Sequence, residues 1–129
     1  MRLEQKFETD ERSSYNFKLT AVDYFEAENI AISSVKASIY VEGSGDPPEY
    51  VNGRDGSHGT GLSFIDNGDG SWTILFHLLP ADNAIVDKAN YAKPGYEKHI
   101  VRFEIKYNSD ADTYYLECEL RVRELVGVA

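Results

Sequence analysis

The feature that most restricts this chain is a two-residue rhythm near its C-terminal end. Val101, Phe103, Ile105 and Tyr107 are apolar or aromatic, and Arg102, Glu104 and Lys106 between them are charged. Successive side chains on a strand point to opposite faces, so this run has one dry side and one wet side. Tyr114, Leu116, Cys118, Leu120 and Val122 repeat the pattern against Tyr115, Glu117, Glu119, Arg121 and Arg123. A helix would scatter such a long alternation around its circumference. The polar stretch from Asn108 to Asp112 has the length of a hairpin loop, so the two runs are expected to pair antiparallel.

The rhythm recurs upstream. Val35, Ala37, Ile39 and Val41 alternate with Ser34, Lys36, Ser38 and Tyr40, and Tyr15, Phe17, Leu19 and Ala21 alternate with Asn16, Lys18 and Thr20. Leu62 to Ile65 and Ser71 to Leu78 flank Asp66-Asn67-Gly68-Asp69-Gly70, whose Asn-Gly and Asp-Gly pairs supply the positive φ of a tight hairpin. In the second of these strands Trp72, Ile74, Phe76 and Leu78 form the inward set, with Thr73 and His77 turned away. Leu3 to Glu8 adds a short first strand. Pro80 to Asn90 is expected to form a helical turn near 81–88 that crosses between sheets, with Asp82 available as its N-cap and Ile85 tucked against the sheet edge. About seven short strands with turns between them define an all-β chain, a single antiparallel β-sandwich with a barrel as the nearest competitor. The expected organisation is an N-terminal arm or short strand over 1–11, the sandwich over 12–124, and an apolar tail over 125–129.

Residues 43–61 hold six of the ten glycines and two of the four prolines. This composition predicts a long irregular loop, and loops of that length are usually functional. The loop and the apolar tail are the expected partner contacts, through Tyr50, Val51, Arg54, His58, Leu125, Val126 and Val128. Apolar residues in a tail gain by burial on a neighbour, at about 25 cal/mol per Å².

Charge and cysteine content narrow the chemistry. Thirteen basic against 22 acidic residues give a net charge of −9, which repels phosphate backbones and argues against nucleic acid. No run has the length of a membrane span, and the N-terminus lacks the apolar stretch of a secretion signal. The lone Cys118 excludes an intrachain disulfide and a thiolate zinc site, and its parity on the strand makes it a buried small hydrophobe. Asp66 to Gly70 resembles the start of a calcium loop, but His77 stands where the bidentate Glu belongs, so a plain turn is expected. His58, His77 and His99 have no ligand-like spacing, and solvated positions are expected for them. Ser57 beside His58 is adjacency in sequence, not a catalytic triad, and the glycine clusters lack the lysine of a phosphate loop. No cofactor, no metal and no enzymatic activity are expected. Nine tyrosines leave a second reading open, a carbohydrate-binding sandwich using Tyr24, Tyr40, Tyr50, Tyr91, Tyr96 and Tyr115.

One succession of features carries a resemblance. Ser14-Tyr15-Asn16-Phe17-Lys18-Leu19 is followed by Val35-Lys36-Ala37-Ser38-Ile39-Tyr40. Then come Gly61-Leu62-Ser63-Phe64-Ile65-Asp66, a Gly-Asp-Gly turn with Trp72-Thr73-Ile74-Leu75-Phe76, Leu79-Pro80-Ala81-Asp82-Asn83-Ala84, and paired final strands. This order resembles the immunoglobulin-like β-sandwich domains of tailed-bacteriophage virions, found in capsid decoration and tail or baseplate proteins. It covers residues 12–125, and the chain departs from it in the length of the 43–61 loop. The resemblance implies a non-enzymatic virion structural protein, assembled in the host cytoplasm. Its partners would be capsid or tail subunits, together with further copies of itself.

Overall fold

The computed structural model describes residues 2–20, 32–57, 61–68, 72–86, 95–107, 109 and 112–124; of these, the side chains of 2–5 and 20 are left aside. Eight strands form: β1 (Arg2–Asp10), β2 (Tyr15–Thr20), β3 (Ile32–Val41), β4 (Tyr50–Asp55), β5 (Leu62–Asp66), β6 (Trp72–Leu78), β7 (Tyr96–Tyr107) and β8 (Asp112–Arg123). They build a five-stranded sheet in the order β1-β8-β7-β3-β4 and a three-stranded sheet in the order β2-β6-β5. The all-β sandwich read from the alternation is present, with both hairpins in place. β7 and β8 pair from Tyr96 opposite Arg123 to Tyr107 opposite Asp112, and β5 and β6 pair from Leu62 opposite Phe76 to Asp66 opposite Trp72.

The dry faces meet between the sheets. Val101, Phe103, Ile105, Leu116, Cys118, Leu120 and Val122 are fully buried there, as are Ile39, Ile74 and Leu78. Four phenylalanines stitch the sheets together: the Phe7 ring lies 4.1 Å from Phe17, Phe17 lies 5.7 Å from Phe103, and Phe103 lies 6.0 Å from Phe76. Two come from each sheet, so removing one ring opens a hole on both sides of the interface and costs about 3–5 kcal/mol. Gly61 sets the entry to β5. Its φ is +80°, its carbonyl accepts the His77 amide at 3.0 Å, and a Cβ there would stand 2.8 Å from the His77 carbonyl oxygen.

Several sequence expectations are corrected. Residues 43–61 are not irregular throughout, because β4 forms inside them. Its pairing with β3 jumps from Ser38 opposite Asp55 to Tyr40 opposite Tyr50, so the strand bulges between those contacts. Asn52 and Gly53, both at positive φ, turn the backbone out and back; this hides the two-residue period. The sandwich is not purely antiparallel, since β1 runs parallel to β8, from Arg2 beside Glu117 to Asp10 beside Arg123. The helical turn is a 3-10 turn at Pro80–Asn83, at the start of the expected span, and Asp82 is its third residue, not its cap. Ile85, expected at the sheet edge, is partly buried against the core. Thr73 lies on the outer parity but is buried, exchanging hydrogen bonds with Asn67. His99 is not solvated ahead of a strand. It lies within β7, on the same parity as Val101, and is fully buried against Glu97.

Candidate functional site

The wet face of the five-stranded sheet gathers the polar half of four alternations. Register places Ser38 of β3 opposite Asp55 of β4 and Arg102 of β7, and Lys36 opposite Glu104. Glu104 in turn faces Tyr115 of β8, and Arg102 faces Glu117. The small Ser38 and the adjacent Gly56 keep the floor low, while Tyr50 and Tyr115 rise at two sides. The result is a cleft of about 160 Å³ lined by these residues apart from Glu117. Tyr50 is 38% and Tyr115 43% exposed, which makes them two of the few large apolar side chains left open to solvent among the described residues.

The cleft is braced. The Arg102 guanidinium lies over the Tyr115 ring with its carbon 4.3 Å from the ring centre, which holds the cation at this side of the cleft. Tyr40 donates its hydroxyl to Glu117 Oε2 at 2.6 Å and meets Tyr50 edge to face with ring centres 6.4 Å apart. Asp55 Oδ1 accepts the Ser57 amide at 3.0 Å and the Ser57 hydroxyl. Beyond the cleft the face continues as a lattice of charge. Glu119 has Arg121 at 2.9 Å and both Lys6 and Lys98 at 3.9 Å; Arg123 joins Glu8 at 3.1 Å and Asp10 at 2.9 Å. Burial alone would push the Glu119 carboxyl up, but the Arg121 hydrogen bond and the surrounding cations hold it below the ordinary value.

A second charged assembly sits inside the molecule. Arg54 reaches inward from β4, 10% exposed, and grips the fully buried Asp82 through Nε at 2.8 Å and a terminal nitrogen at 2.9 Å. Asn52 donates to the same carboxylate at 2.9 Å and the Leu79 amide at 2.8 Å. The guanidinium lies 5.4 Å from the centre of the Phe76 ring. Burial pushes the Asp82 carboxyl up, and the bonds from Arg54, Asn52 and Leu79 outweigh it, leaving the group below its usual range. The bulge at Asn52-Gly53 is what aims both β4 side chains at the 3-10 turn.

The expected contact residues are therefore divided. Tyr50 is exposed at the cleft. Val51 is fully buried in the core, one step of strand alternation from the wet-face Tyr50, and cannot touch a partner. Arg54 is spent on Asp82, so it too is withdrawn from the surface. His58, Leu125, Val126 and Val128 lie outside the described residues, as do Tyr24 and Tyr91 of the sugar-binding reading. Sequence reasoning missed Lys36, Ser38, Asp55, Arg102 and Glu104 as one group; their shared wet parity was the available signal. Cys118 is buried, and loss of water around it, with Glu117 nearby, pushes its thiol up to about 12, so it is not a nucleophile at neutral pH.

Among the described residues no group of three or more His, Cys, Asp or Glu side chains could hold a metal ion, and no helix is long and apolar enough to cross a membrane. No family model, curated protein or solved structure matches the chain. The fold and the face define an all-β sandwich with a built polar and aromatic surface.

Proposed function

We propose that this chain is a non-enzymatic assembly module: an immunoglobulin-like sandwich that docks on neighbouring capsid or tail subunits of a tailed-phage-like particle. Strand order supports the immunoglobulin-like part. Lettered in chain order as A′, B, C, C′, D, E, F and G, the two sheets become A′GFCC′ and BED, a variable-type arrangement. The inter-sheet disulfide of antibody domains has no counterpart, since Cys118 is alone. The virion setting comes from the succession of sequence features described above.

The observation that carries docking is the contrast between the two edges of the large sheet. At one edge β4 is six residues long and bulged, which blunts it against strand addition. At the other, β1 is nine residues long; it slips register once between Arg2 and Lys6, pairs regularly with β8 from Lys6 to Asp10, and among the described residues no strand covers its opposite side. A partner strand gains main-chain hydrogen bonds there without any change in the sandwich. The test compares the full chain with one lacking residues 1–5, mixed with capsid or tail subunits and followed by size-exclusion chromatography. Co-elution of the full chain, lost in the shortened one while its thermal melt is kept, supports strand docking. A full chain that stays monomeric and co-elutes with neither subunit overturns it.

A further inference from the structure

We propose that the cleft over Ser38 binds a short neutral glycan. This site is separate from the docking edge: it spans β4, β3, β7 and β8, leaving β1 free to pair elsewhere.

The chemistry of the lining selects the ligand. A pyranose ring offers an apolar C–H face and a rim of hydroxyls that both donate and accept. Tyr50 supplies an exposed ring for the apolar face, held in orientation by its edge-to-face contact with Tyr40. Asp55 and Glu104 supply carboxylate acceptors, which make the stronger, charge-assisted bonds to hydroxyl donors. Arg102, held over the Tyr115 ring, brings its guanidinium donors to the cleft. The arrangement is built before any ligand arrives, because Asp55 is anchored by Ser57, and preorganised groups lose little entropy on binding.

Size and charge exclude the competing ligands. A cleft of about 160 Å³ admits a group the size of one sugar ring. A protein partner instead needs about 800 Å² on each side, mostly over flat surface. Two cations, Lys36 and Arg102, balance two anions, Asp55 and Glu104, so the lining has no net charge to attract an ion. An anionic sugar would also approach a chain of net charge −9, whose field opposes it.

The test is an amide chemical-shift titration of the full chain with maltotriose, cellotriose and lactose as neutral probes. Trigalacturonic acid and 3′-sialyllactose serve as acidic ones. Saturable shifts with a neutral probe, confined to amides around 36–38, 50, 55–56, 102–104 and 115, are expected. Tyr50→Ala and Asp55→Asn should each weaken binding at least about tenfold, whereas Tyr50→Phe keeps it. Lys18→Ala, on the other sheet, should leave affinity unchanged, and thermal melts establish that each variant folds. Four results overturn the proposal: no shifts with any neutral probe at about 10 mM, binding of the acidic probes alone, binding that survives both Tyr50→Ala and Asp55→Asn, or cleft shifts that arise only on adding capsid or tail subunits. Docking is read separately by co-elution, so either proposal can fail while the other stands.

Discussion

The molecule contains two acid-base assemblies that look alike on paper and differ in kind. Around Asp82, one carboxylate with about four acceptor sites receives four hydrogen bonds, from Arg54 twice, Asn52 and Leu79. Around Glu119, three cations crowd one carboxylate, but only Arg121 is within hydrogen-bond distance. Both carboxyl groups are held below their ordinary values against the pull of burial. The first joins β4 to the crossover turn and fixes the architecture. The second is spread over one face of one sheet, where water and salt share the work. What separates them is the exposure of the cations: Arg54 is buried with Asp82, so losing the carboxylate strands a charge without water, while Lys6, Lys98 and Arg121 around the buried Glu119 reach solvent and rehydrate when it is neutralised.

The largest expected effect follows from that. Asp82→Ala takes from the buried Arg54 the carboxylate that it grips through two nitrogens and should cost about 3–5 kcal/mol in urea denaturation. If the loss is below about 1 kcal/mol, the inner assembly is no different from a surface pair. Acid titration sharpens the contrast. Because the folded Asp82 value lies below the ordinary 3.8, its contribution is fully present above that value and is lost as pH falls through the folded one. Stability of the native chain should therefore drop below about pH 4, and Asp82→Asn should flatten that limb when melts are compared across pH. On the outer face, Tyr40→Phe removes a hydroxyl bond to Glu117 and should cost about 1 kcal/mol by the same denaturation measurement. The smallest effect is Glu119→Gln, below about 1 kcal/mol at low salt and absent at about 1 M. A salt-independent loss there would erase the distinction between the two assemblies.

The same contrast explains what could be read in advance. β7 and β8 were legible because each has one apolar and one charged face, so Val101 to Tyr107 and Tyr114 to Val122 announce themselves by period. β4 was not, since its bulge at Asn52-Gly53 breaks the period and sends Arg54 inward like Val51. The Asn-Gly pair itself was the available clue, being turn chemistry inside an apparent loop. Glu97 and His99 share odd parity with Val101, yet polar residues at buried positions defeat a pattern built on hydropathy. They are tolerated because each is the other's partner at 2.6 Å. As for the cleft, the sequence assigns Lys36, Ser38, Arg102, Glu104 and Tyr115 to wet faces. That β3 and β7 lie side by side is a matter of sheet order, which no local rhythm encodes.

The parallel seam between β1 and β8 has a mechanical corollary. Arg2 lies beside Glu117 and Asp10 beside Arg123, so the outer ends of the two strands are separated by about 20 Å along the strand axis. Tension applied at those ends pulls the strands past each other and loads the bonds of the regular run from Lys6 to Asp10 together, whereas an antiparallel hairpin pulled at its open end parts one bond at a time. A module tethered this way resists stretching as a lap joint does.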